Sequence, residues 1–264
     1  MKNKMGGRIK RKEETGYSKL PVIGKVKIGM KNEKGFPKSL DYFVATGKYE
    51  TQFNKAYPDK PDKISIFFVS DERTEVCDER FEIRGSDGRL YGWGDGEDFM
   101  IWDFKKEEHV SASANNEEDE VKIKELRKLC QSSKGWEAVL TLRFIIPKIS
   151  GVMGVWQIST KGASSSIPAI TRAFDLMAEN LGTIRMVPFD LQVEMVKSQK
   201  PKSTARFPVI QLIPNIGTEN IEEIRNFLDA GGNIMQLPKL IASEKPRELG
   251  PIPEEDIPEF YKEV

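Results

Sequence analysis

Apolar and polar positions alternate from Pro21 to Ile28, with Val22, Gly24, Val26 and Ile28 on one side and Lys25 and Lys27 on the other. A period of two predicts a β-strand with a basic outer face. Lys48 to Tyr57 reads as a short helix stopped by Pro58, and Lys63 to Ser70 is a β-rich run around Ile64, Ile66, Phe67, Phe68 and Val69. Phe81 to Arg84 and Leu90 to Trp93 flank Asp87-Gly88, a dipeptide that tolerates the backbone of a tight turn, so they predict a hairpin. The stretch 105–120 has few apolar residues and predicts an exposed loop. Ile123, Leu126, Leu129 and Cys130 then recur at helical intervals, which predicts a helix over Val121 to Gln131.

The second half is patterned more strongly. Leu140, Leu142, Phe144 and Ile146 alternate with Thr141, Arg143 and Ile145, and Val155 to Ile158 forms a second strand-like run. Ser166 is placed to cap a helix with Pro168 in its first turn, an apolar stripe of Ile167, Ile170, Phe174, Met177 and Leu181, and Gly182 at its end. Phe189, Leu191, Val193 and Met195 share one face of a further strand, Phe207 to Ile213 forms another, and Lys197 to Arg206 between them reads as a hairpin tip. Thr218 is expected to cap a last helix through Ile221, Ile224 and Leu228, stopped by Gly231-Gly232. Strands and helices do not alternate strictly, so the expected class is α+β: a mixed or antiparallel sheet with several packed helices. The expected organisation is a basic, flexible tail at 1–19, a single domain over 20–242 with an acidic loop at 105–120, and an extended Pro-rich acidic tail at 243–264.

A chain of 264 residues is long enough to bury a sizeable core without staples. Its 41 basic and 41 acidic residues cancel, yet they are unevenly placed. Residues 1–34 hold eleven Lys or Arg against three acidic residues, whereas 95–120 hold ten Asp or Glu against two Lys. Each segment is available to an oppositely charged partner, although a solvated linker is the simpler account of either one alone. Cys77 and Cys130 are the only cysteines, too few for a disulfide framework and in keeping with a reducing compartment. No run approaches the length of apolar sequence that a membrane span needs, so a cytoplasmic protein is expected.

No catalytic constellation stands out. Ser159 and Lys161 invite comparison with Ser/Lys nucleophilic sites, but the accompanying signatures of such enzymes are absent. Asp95, Glu97 and Asp98 with His109 are ligand types for a hard cation, but solvation in a Gly-rich turn explains the carboxylates. Cys77, Cys130 and His109 do not supply the four soft ligands of a structural zinc, so neither metal nor cofactor is expected. Gly92 to Gly96 lacks the Gly-Lys-Ser/Thr ending of a phosphate loop. The candidate contact residues are therefore basic: Lys197, Lys200, Lys202 and Arg206 at the hairpin tip, with Lys25 and Lys27 on the first strand. They suit a nucleic-acid backbone or an acidic protein surface, and the lack of interleaved aromatics argues against base stacking.

Two stretches carry a resemblance. Gly24-Lys-Val-Lys-Ile-Gly29 is followed by Pro37-x-x-Leu40-x-x-Phe43-x-x-Thr46, and Gly154-x-Trp156-x-x-x-x-x-Gly162 comes in the second half. In this order they resemble the framework blocks of the phage recombination directionality factor-like family, over roughly residues 20–212. The resemblance implies a non-enzymatic regulator that binds a large serine integrase and shifts it from integration to excision, meeting DNA mainly through that partner. Relatives with a Cys-rich insertion suggestive of zinc differ from this chain, in which Cys77 stands alone. The alternative is a phage or mobile-element protein of replication or recombination that binds DNA directly.

Overall fold

The computed structural model describes residues 20–31, 34–198, 204–216 and 221–232. The expected tails, Thr218, Lys200 and Lys202 lie outside them. The elements are β1 (Val22–Lys31), β2 (Pro37–Thr46), α1 (Glu50–Ala56), β3 (Lys63–Phe67), α2 (Arg73–Val76), β4 (Cys77–Arg84), β5 (Leu90–Gly94), β6 (Asp98–Asp103), β7 (Glu108–Ser113), α3 (Glu117–Leu129), β8 (Trp136–Phe144), β9 (Val155–Thr160), α4 (Ser166–Leu181), β10 (Pro188–Lys197), β11 (Arg206–Pro214) and α5 (Ile221–Asp229). The class is α+β, as the unsystematic alternation of patterns implies.

An eight-stranded sheet runs β2-β1-β9-β8-β4-β5-β6-β7, and a three-stranded sheet runs β11-β10-β3. The β1–β9 pair is parallel and every other pair is antiparallel. Alternation does what it should. Val26, Leu140, Leu142, Phe144, Trp156 and Ile158 point from the large sheet into the main core, and Ile64, Ile66, Phe189, Leu191 and Val193 meet them from the small one. Phe68 sits at the centre, edge-on to Phe174 of α4 and Phe189 of β10. A second cluster of Ile83, Phe99, Ile101, Ala112, Ile123, Leu126 and Cys130 fills the space between α3 and the outer strands.

Two expectations are corrected. The stretch 105–120 is not a loop, because it contains β7 and the first turn of α3. β7 has few apolar residues because it is the edge of the sheet, needing only Val110 and Ala112 toward the second cluster. The acidic run is the start of a helix: Asn116 accepts hydrogen bonds from the Glu118 and Asp119 amides, and Glu117 to Glu120 occupy the first turn, where the helix dipole favours negative charge. The second correction concerns Ser166, which is the first residue of α4 and not its cap. Its buried hydroxyl accepts the Ile210 amide at 3.0 Å and ties α4 to the free edge of β11. At the other end Gly182 takes φ 69° and terminates α4 in the left-handed conformation, as its position suggests.

Candidate partner-binding surface

Of the residues that carry the resemblance, Leu40, Phe43 and Trp156 are core residues. Leu40 and Phe43 are both buried, which strict alternation along a strand forbids at a spacing of three. The register explains it: Lys27 faces Val44 and Gly29 faces Ser39, so a step of two on β1 is matched by a step of five on β2. The extra residues bulge and turn both side chains inward, with the Phe43 amide leaving the ladder to donate to the Pro61 carbonyl at 2.7 Å. Thr46 returns to the ladder beside Lys25 and donates a long 3.5 Å hydrogen bond to its carbonyl. Trp156 is 1% exposed and packs on Phe53 of α1 at 5.7 Å between ring centres. Gly162 accepts the Ser165 and Ile167 amides and starts α4. Leu40, Phe43 and Trp156 hold the scaffold.

The described basic candidates form two pairs. Lys25 and Lys27 are exposed on the outer face of β1, and Lys197 lies directly opposite Arg206 where β10 and β11 enter their connection. A cleft of about 460 Å³ adjoins the first pair: Lys25, Lys27, Ser39, Gln157 and Ser159 line it together with Pro208 of β11, two residues along the chain from Arg206. None of its lining residues is acidic.

The rest of the outer face is compensated. Arg143 and Arg80 flank Asp78, Arg80 and Arg84 both reach Glu82 at 2.8 Å, and Lys161 and Lys134 share Glu137. Burial would raise the Glu82 carboxyl, but the hydrogen bonds from Arg80 and Arg84 outweigh it and hold the group below the ordinary carboxylate range. Among the described residues, Lys25, Lys27, Lys197 and Arg206 have no such carboxylate. Lys25 and Lys27 therefore give the cleft an unbalanced positive charge.

The other candidates do not assemble. Lys161 is 48% exposed and its ammonium is bound by Glu137 at 2.6 Å, while the Ser159 hydroxyl pairs with Thr141 at 3.0 Å; among the described residues no base is directed at the serine. Asp95 folds back on its own turn, accepting the Glu97 and Asp98 amides. His109 is instead wedged between Trp93 and Trp102, with ring centres 4.7 and 5.0 Å away. No group of three potential ligands capable of holding a metal occurs among the described residues. No helix among them is long and apolar enough to cross a membrane. Sequence reading passed over the aromatic group that Trp93, Trp102 and His109 form on the outer face, although Trp93 and Trp102 each occupy the outward register of their strands.

Compared with known protein families, residues 23–215 match the one described as Gp3-like, recombination directionality factor-like. No curated protein and no solved structure matches the chain. The matched segment runs from β1 to the end of β11 and so includes both sheets, the framework residues Leu40, Phe43, Thr46, Trp156 and Gly162, and the walls of the basic cleft. The chain belongs to the recombination directionality factor-like family, and its role is that of a regulator of recombination.

Proposed function

We propose that this protein is a non-enzymatic regulator from a phage or mobile element that binds a large serine integrase in the cytoplasm and shifts it from integration to excision. The observation that carries this reading is the family match over residues 23–215. Its thermodynamics are undemanding. A factor that binds one arrangement of the integrase–DNA complex better than another by a few kcal/mol changes which arrangement dominates, and no bond need be made or broken by the factor itself. Lys25, Lys27, Lys197 and Arg206 are the contacts we assign to the partner, together with Lys200 and Lys202, which lie outside the described residues.

The uncompensated charge at the cleft favours an anionic partner, and this observation keeps direct DNA binding as the second reading. The two are separated by a recombination assay with the integrase encoded beside this protein. The regulator should promote recombination between the hybrid left and right sites, inhibit the reaction of the phage site with the bacterial site, and saturate near stoichiometric amounts because it does not turn over. Unchanged site preference at several-fold excess, together with no detectable complex, would replace it by the DNA-binding reading.

A further inference from the structure

β1 and β9 pair in parallel only where Val22 to Lys25 meets Val155 to Gln157. Both strands continue, β1 to Lys31 and β9 to Thr160. Beyond Lys25 they part, and the gap between them is the cleft that Lys27, Ser159 and Pro208 line. On its far side β1 is held by β2, with the pairs Lys27 to Val44 and Val26 to Ala45. On the near side no strand among the described residues pairs with Val26 to Gly29. Backbone N–H and C=O groups on such an edge require partners, and an open edge is a template for one further strand.

The surroundings select what kind of strand. Lys25 and Lys27 are two residues apart and therefore project on the same side of β1, a spacing that carboxylates at alternate positions of an extended chain reproduce. Neither has a carboxylate partner among the described residues, and the cleft contains none. Val26, Ile28 and Pro208 supply apolar walls, and Met30, half-exposed on the same strand, continues them outward. A nucleic-acid backbone has the negative charge but no amide ladder to match the edge.

We propose that this cleft binds one extended, acidic segment of the protein partner, which adds to β1 along Val26 to Gly29 and sets alternate carboxylates against Lys25 and Lys27. The segment spans about four residues, or about 13 Å at the rise of a strand. This rests on the reading of the protein as an integrase-binding regulator.

Hydrogen exchange read by mass spectrometry on the full chain, with and without the neighbouring integrase and with attachment-site DNA alone, tests it. The integrase should slow exchange in peptides covering Val26 to Gly29, and DNA alone should not. Lys25→Glu with Lys27→Glu should weaken the integrase complex by about tenfold or more, while Lys105→Glu, an exposed change away from the cleft, should leave it intact. Both altered lysines are exposed, so melting temperature should hardly move. If the complex forms but protection falls elsewhere and the double variant binds like the parent, the edge-pairing proposal fails while the integrase reading stands. Protection by DNA alone makes the cleft a nucleic-acid site and overturns the proposal. Absence of any complex removes both.

Discussion

The indole of Trp156 lies against the backbone of Gly24 so closely that a Cβ at position 24 would stand 2.4 Å from Cζ3 and 2.8 Å from Cε3. The two residues are register partners across the parallel β1–β9 pair, and Phe53 packs against the same ring. Gly24→Ala should therefore act as an overpacking substitution and cost about 1–3 kcal/mol in urea unfolding. The decisive measurement is the double variant with Trp156→Phe. Because the clash is with indole atoms that phenylalanine lacks or places differently, the alanine should cost less in that background, and strictly additive losses would show that the contact is not the cause.

Glu82 provides a prediction with a pH axis. Its side chain is 7% exposed and is shared by Arg80 and Arg84. Its folded value lies below the ordinary one, so the stabilisation is fully present above the unfolded carboxylate range of about pH 4.3 and is lost as pH falls through the lowered folded value. Glu82→Gln should cost about 1–2 kcal/mol at neutral pH, a modest figure because both guanidinium groups remain partly in water. It should also flatten the decline in stability below about pH 4. An unchanged acid slope in the variant would assign that decline to other carboxylates.

Much of the fold is legible in the sequence because most strands bury one face. The alternation at residues 140–146 and the stripe from Ile167 to Leu181 reach the core they predict, as do Val26, Phe189, Leu191 and Val193, whereas Val22 at the start of β1 is exposed and Met195 lies outside the buried cluster. The reading failed where one-dimensional pattern and tertiary position part company. β7 is polar because it lies at an edge, and the acidic run before Val121 looks like a loop until its dipole and its Asn116 cap are taken into account. The spacing of Leu40 and Phe43 fits neither a strand nor a helix until the bulge against β1 is known. The site was half legible: alternation puts Lys25 and Lys27 outside, but only the parting of β1 from β9 makes a cleft beside them.

The two thiols should be inert in the native protein. Burial pushes the Cys77 thiol up to about 12, and burial also raises Cys130. They belong to different core clusters, so they cannot chelate one ion together. Titration with an aromatic disulfide at pH 8 should detect neither thiol before denaturant is added and both afterwards. Elemental analysis should find no stoichiometric zinc, and a chelator should leave the melting temperature unchanged.

Direct DNA binding should be weak, indifferent to sequence and steeply dependent on salt, because the available contacts are Lys and Arg without aromatic partners in the cleft. Replacing Lys197, Lys200 and Lys202 by Glu is informative when two readouts are taken together. Loss of integrase binding with unchanged DNA behaviour supports the regulator. Loss of tight DNA binding supports a replication-type role.

The last prediction concerns how the chain comes apart. The main core and the second cluster are distinct sets of side chains, yet β4 and β8 serve both. Cys77, Leu140 and Leu142 lie in the first, while Ile83 and the packed Trp136 belong to the second. The ladder between these strands runs from Cys77–Leu142 to Ile83–Trp136 without a register shift. Losing α3 and the outer strands would thus expose one end of strands whose other end is at the centre of the main core. We therefore expect one domain, a single cooperative unfolding transition with coincident fluorescence and circular dichroism curves, and one protease-resistant fragment beginning near Leu20. Cleavage within 107–120 that released two stable fragments would show instead that the chain forms two domains divided there, and that the shared strands do not couple the two clusters.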